Sequence, residues 1–146
     1  MVKESASRWM RKVRINSSND VYTVLKPYFK DLDREHFVVC CLDSKNLINS
    51  LNVVSVGTLN HSIAHPREVF KPAILSNAAS VIIAHNHPSG DSEPSAEDRA
   101  ITKRLEDAAE ILGIRFLDSL VFGENDYQRV FGENDYHSAK IKRRKR

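Results

Sequence analysis

The chain has 146 residues, 41% of them hydrophobic and 28% charged, which is the balance of a soluble globular protein with one core and no room for two. No apolar run approaches bilayer-spanning length and Met1-Val2-Lys3-Glu4-Ser5 opens no signal peptide, so a cytoplasmic location without a membrane partner is expected. The 22 basic residues outnumber the 19 acidic ones, but six of them fall between Lys140 and Arg146; 16 against 19 remain elsewhere, and the basic character belongs to the tail.

Residues 1–19, with Lys3, Arg8, Arg11, Lys12, Arg14 and the only tryptophan, Trp9, read as an arm or short strand docked on the body. Ser17-Ser18-Asn19-Asp20 offers a helix N-cap. Val21, Tyr22, Leu25, Tyr28, Phe29 and Leu32 then recur at helical spacing, predicting an amphipathic helix bent at Pro27. Phe37-Val38-Val39-Cys40-Cys41-Leu42 is uncharged and rich in β-formers, as a central strand would be. Cys40 and Cys41 are neighbours, so they face opposite sides of that strand and neither pair nor share a metal. Asp43-Ser44-Lys45-Asn46 is turn chemistry, and Leu47 to Val56 completes a hairpin before Gly57.

Thr58 to Ala64 reads as a loop or short strand. A helix follows from His65, with Pro66 suited to the first helical position, Pro72 expected to kink or divide it, and Phe70, Ala73, Ile74 and Ala78 as its buried stripe. Ala79 to Ala84 is a buried strand. Ser95 to Leu112 is a helix closed by Gly113 in a left-handed conformation, and Ile114 to Phe122 is a further strand. Val121-Phe122-Gly123-Glu124-Asn125-Asp126-Tyr127 recurs as Val130-Phe131-Gly132-Glu133-Asn134-Asp135-Tyr136, too short a repetition for a solenoid; it reads as a hairpin extension or an alternative strand register. The expected organisation is an arm over 1–19, one domain over 20–127, and the duplicated segment with the basic tail over 128–146.

The most informative stretch is His85-Asn86-His87-Pro88-Ser89-Gly90-Asp91, a strand-to-helix crossing continued by Pro94-Ser95-Ala96-Glu97-Asp98. In an extended segment residues two apart point the same way, so His85 and His87 aim two imidazoles at one point while Asn86 points to the other side. Asp98 falls in the first turn of the next helix, where the dipole favours a carboxylate. Two imidazoles and one carboxylate, with a fourth position left to water, make the ligand set of a catalytic zinc site. The same letters also fit a metal-free reading, because Ser95 and Asp98 have the spacing of a capping box.

Those motifs, with His65-Pro66-Arg67-Glu68-Val69-Phe70, make the chain resemble the RadC family of the JAB/MPN metalloprotease-like superfamily, over about Asp20 to Phe122. The resemblance implies a mixed-sheet α/β fold in three αβα layers, a layering shared with cytidine deaminases. It also implies one Zn2+ held by His85, His87 and Asp98, with Glu35 at the head of the first strand acting on the bound water and Ser95 steadying an oxyanion. Relatives with an N-terminal helix-hairpin-helix module exceed the room available here. Where relatives read Asp-His this chain has Asp118-Ser119, so Asp118 is expected to be a strand-end residue.

The function expected is therefore zinc-dependent hydrolysis of peptide or isopeptide bonds in a peptide or protein substrate. The alternatives are a DNA-associated accessory protein, resting on the basic arm and tail, and a non-catalytic metal-binding scaffold. A nucleobase deaminase is excluded because the helix lacks a Pro-Cys-x-x-Cys ligand pair. A His-Asn-His nuclease is disfavoured because such motifs spread their residues over a longer segment.

Overall fold

The computed structural model of the chain describes residues 3, 4, 10 and 13–130; Trp9, the second copy of the repeat beyond Val130 and the basic tail lie outside them. Six strands and three helices follow in the order β1 (Lys3–Glu4), α1 (Ser18–Phe29), β2 (His36–Leu42), β3 (Ile48–Val56), α2 (Pro66–Leu75), β4 (Ser80–Asn86), α3 (Ala96–Leu112), β5 (Arg115–Phe122) and β6 (Tyr127–Arg129). They build one sheet in the order β1-β3-β2-β4-β5-β6. Only β4 and β5 run parallel, and that pairing needs a long crossover, supplied here by α3. The sheet is therefore mixed, as expected.

Alternation along the strands divides the core into two layers. Val38, Cys40, Leu42, Ile82 and Ala84 face α1, whereas Phe37, Val39, Cys41, Val81 and Ile83 face the side covered by α2 and α3. One helix on one face and two on the other give the αβα arrangement. The same parity continues to the end of β4, turning His85 toward α3 and Asn86 toward α1.

Each helix begins as its sequence dictates. Ser17 Oγ accepts the Asp20 N–H at 3.2 Å while Asp20 Oδ2 takes the Asn16 N–H at 2.8 Å, so α1 starts on two reciprocal caps. It continues through Pro27 but stops at Phe29, short of Leu32. The imidazole of His65 caps α2, accepting the Arg67 N–H at 3.1 Å. Of the two outcomes expected at Pro72, division does not occur: α2 runs through it as one helix. An interior proline costs about 3 kcal/mol, and complete burial of Val69 and Phe70, roughly 1.5–3 kcal/mol each, offsets that. Ile74, expected in the buried stripe, is 58% exposed because Val69, Phe70 and Ala73 occupy the inward positions. Gly113 ends α3 at φ 74°, a conformation that only a residue without Cβ adopts freely.

The two cysteines sit in different core layers, 2% and 0% exposed, and neither is in a disulfide. Burial, reinforced by the neighbouring Cys41, pushes the Cys40 thiol well above its ordinary range. The native protein is accordingly expected to leave a thiol reagent unconsumed over an hour and to consume two equivalents per chain once unfolded in guanidinium, read by absorbance.

Candidate metal centre

β4 pairs with two neighbours and leaves one of them early. Its ladder with β2 ends at Phe37 opposite His85, whereas its ladder with β5 continues to Asn86 opposite Phe122, and the His87 N–H still donates to the Phe122 carbonyl at 3.0 Å. The sheet thus forks between β2 and β4 at the level of His85. Glu35 stands just before β2 on one side of the fork and His87 just after β4 on the other.

His85 and His87 project from the α3 side with ring centroids 5.2 Å apart. Asp98, 4% exposed, reaches both: Oδ1 lies 3.0 Å from His85 Nε2 and Oδ2 lies 3.0 Å from His87 Nε2. Glu35, His85 and His87 offer a second three-residue grouping, with one donor atom from each lying within 4.8 Å of the others. Of the five site residues singled out in the sequence, His85 and His87 thus share their surroundings with Asp98 and with Glu35. Asp98 thus faces both rings, while the grouping whose donor atoms lie within reach of one ion is Glu35, His85 and His87.

The capping reading holds as well. Ser95 Oγ accepts the Asp98 N–H at 3.0 Å, and Asp98 Oδ2 accepts the Ser95 N–H at 2.9 Å. The capping box and the ligand cluster are two uses of one carboxylate. Ser95 is itself exposed, and since its oxygen lone pair serves the helix, its O–H remains available as a donor.

Local contacts fix which ring nitrogen faces the cluster. His87 Nδ1 lies 2.9 Å from the Asp91 carbonyl, which can only accept, so Nδ1 carries hydrogen and Nε2 is the lone-pair nitrogen of the neutral ring. His85 is 2% exposed, and neither of its ring nitrogens has a hydrogen-bond partner among the described residues; its approach to Asp98 is too bent to count as one. A buried imidazole without partners is costly unless something else satisfies it. That orphaned nitrogen, beside a second imidazole and two carboxylates, is the donor set a divalent cation fits.

The electrostatics agree. Burial alone would raise the Asp98 carboxyl, but the His85 and His87 contacts and the Ser95 amide outweigh it and hold the group well below the usual carboxylate range. The hydrogen bond to Asp98 raises His87, helped by the Asp91 carbonyl and the charge of Glu35 against partial burial.

Three features had no signal in the sequence. Glu35 is gripped by the loop after β3: the Leu59 N–H donates to its Oε2 at 3.0 Å and the Gly57 N–H to its carbonyl at 2.8 Å, with Gly57 at φ 126° making the turn. That loop is tied to α3 through His61 Nε2, 3.3 Å from Glu97 Oε2. The turn between β5 and β6 clasps the histidine loop, the Ser92 hydroxyl meeting Asp126 Oδ2 at 3.1 Å and the Glu124 N–H donating to the Gly90 carbonyl at 3.0 Å. Finally, Asp118 is not a strand-end residue. It lies within β5, 1% exposed, with Arg129 Nε 3.1 Å from Oδ2, because a buried carboxylate needs a cation and β6 supplies it. The hydroxyl of the next residue, Ser119, meets Thr102 at 2.9 Å.

A cleft of about 500 Å³ opens beside His87, lined by Tyr22, Lys26, Phe29, Asn86 and Glu124 among others. Among the described residues no helix is long and apolar enough to cross a membrane.

Comparison with known proteins gives the family. The family model described as RadC-like JAB domain matches residues 15–136. A UPF0758 protein of Methanococcoides burtonii is 49% identical over 116 residues, 80% of this chain and 51% of the relative. One from Rubrobacter xylanophilus is 54% identical over 110 residues, 75% and 48% of the two chains, and one from Staphylococcus epidermidis is 48% identical over 116 residues, 80% and 51%. The chain spans about half the length of these curated relatives. With that match covering most of its length and the relatives 48–54% identical over three quarters of it or more, the chain belongs to the RadC-like JAB domain family.

Proposed function

We propose that the protein is a zinc-dependent hydrolase of peptide or isopeptide bonds, in which His85, His87 and Asp98 hold the ion, Glu35 is the general base and Ser95 steadies the oxyanion. The observation that carries this reading is the buried His85 ring, without a hydrogen bond among the described residues, set 3.0 Å from an Asp98 carboxylate that also faces His87. A zinc ion bound there supplies Lewis acidity, bringing the ionisation of water toward neutral pH and polarising a carbonyl.

The chain's own groups do the rest. Asp98 faces both rings at 3.0 Å and is taken as the third ligand, which leaves Glu35 for proton transfer. With one carboxylate oxygen taking the Leu59 N–H, Glu35 keeps its other oxygen for a proton taken from water and returned to the departing amine. The Ser95 O–H, at the positive end of α3, is placed to donate to charge developing on the scissile oxygen.

Metal analysis of untagged protein tests this directly. One equivalent of zinc per chain is expected, with none retained by a His87→Ala variant of unchanged far-ultraviolet circular dichroism. Metal-free wild-type protein that takes up no zinc in a titration sinks the reading.

A further inference from the structure

Asn86 lies between the two histidines, and its side chain crosses the fork in the sheet. It is 5% exposed, and parity directs it to the α1 side, away from the ligand cluster. Its Oδ1 accepts the His36 N–H at 2.7 Å, and its Nδ2 donates to the Arg34 carbonyl at 2.9 Å. These two backbone groups flank Glu35. Continuing the antiparallel register one step past Phe37 and His85 would set His36 opposite Asn86, where a main-chain rung would draw the strands together. The β4 main chain pairs with β5 there instead, and the primary amide, the one neutral side-chain group with both an N–H donor and a carbonyl acceptor in a plane, replaces the rung at longer reach.

We propose that Asn86 is the positioning residue of Glu35: its amide holds the backbone on both sides of the glutamate while keeping β2 and β4 apart, so that the carboxylate stands beside the imidazoles rather than collapsing onto β4. This rests on Glu35 acting at the cluster, as set out above. Glu35 has no backbone ladder of its own at this point. Its carbonyl goes to Gly57 and its carboxylate to Leu59, both in a loop, and Asn86 is what fixes it to the strand that carries the histidines. Asparagine is also the residue the geometry demands. Aspartate would face the Arg34 carbonyl with an oxygen, keeping one contact and making the other repulsive.

The reporter is the Leu59 amide, which Asn86 does not touch but which donates to Glu35 Oε2. Native-state hydrogen exchange is measured by nuclear magnetic resonance on metal-free protein, for wild type, Asn86→Ala, the volume-preserving Asn86→Asp, Glu35→Gln and the Asn86→Asp/Glu35→Gln double variant. Loss of one such bond corresponds to exchange faster by about fivefold. Leu59 is expected to exchange about fivefold faster or more in Asn86→Asp, with Val39 in β2 unchanged, and the double variant should show no further increase over Glu35→Gln. A faster His36 amide with Leu59 unmoved overturns the proposal, because Asn86 would then secure only its own contacts. Additive effects in the double variant, or equal acceleration at Val39, overturn it too, showing a general structural role. A Co2+ titration of the same proteins separates this from the wider reading. Wild-type protein that binds no Co2+ would count against the metal centre, and the exchange data would still decide the role of Asn86.

Discussion

Glu35→Gln should leave zinc bound at one equivalent per chain while amide hydrolysis falls by about 10²–10⁴, the usual contribution of a positioned general base. Glutamine preserves the volume of the side chain and can still offer an oxygen to the Leu59 N–H, so the loop after β3 keeps its anchor. What is lost is the ability to hold a proton between its removal from water and its delivery to the leaving amine. Zinc content and turnover of a model isopeptide, measured on the same preparation, distinguish the outcomes. Loss of zinc along with activity would make Glu35 a ligand, as its grouping with the two histidines allows, and would exclude it as the base. Full activity would remove it from the chemistry altogether.

Asp98→Asn carries the second large effect, because one side chain serves two systems. Asparagine can accept the Ser95 N–H, so the cap on α3 survives in outline, but the negative charge facing the two imidazoles disappears. Zinc affinity is expected to fall by more than the 10–100-fold that follows loss of a partner hydrogen-bonded to a ligand, read by competition with a chelating dye. Metal-free stability is also expected to fall, by about 1–3 kcal/mol, since the half-buried His87 ring loses the carboxylate it faces. The pH dependence follows from the direction of the shift. A carboxylate held below its ordinary range in the folded chain contributes stability that is present above the unfolded value and is lost as pH falls toward the folded one. The gap between wild type and Asp98→Asn in denaturant melts should therefore be full at pH 6 and shrink steadily below pH 4; a gap independent of pH would show that the charge contributes nothing.

The ends of helices, the apolar runs of β2 and β4 and the His-x-His spacing were legible because each depends on local physics: caps, periodicity and the alternation of a strand. Asp98 was legible for the same reason, lying one helical turn past a serine cap. The role of Glu35 was not, since its surroundings are a loop twenty-four positions downstream and an asparagine on another strand. Single-chain patterns carry no trace of contacts made across a sheet. Asp118 was misplaced for a related reason: a carboxylate in an apolar run reads as a terminus until the arginine that neutralises it is seen to return on β6. Ile74 was misread because Val69, Phe70 and Ala73 take the inward positions of α2.

A carboxylate that caps the start of a helix and also faces two imidazoles would tie recognition of an ion to the folding of one helical turn. Under the function proposed above, an ion would meet Asp98 already turned to both rings by the helix cap. Descendants that abandon the chemistry can do so cheaply only by keeping at position 98 some other residue able to serve the Ser95 amide, so a silent copy of this fold would differ from a working one by very few atoms.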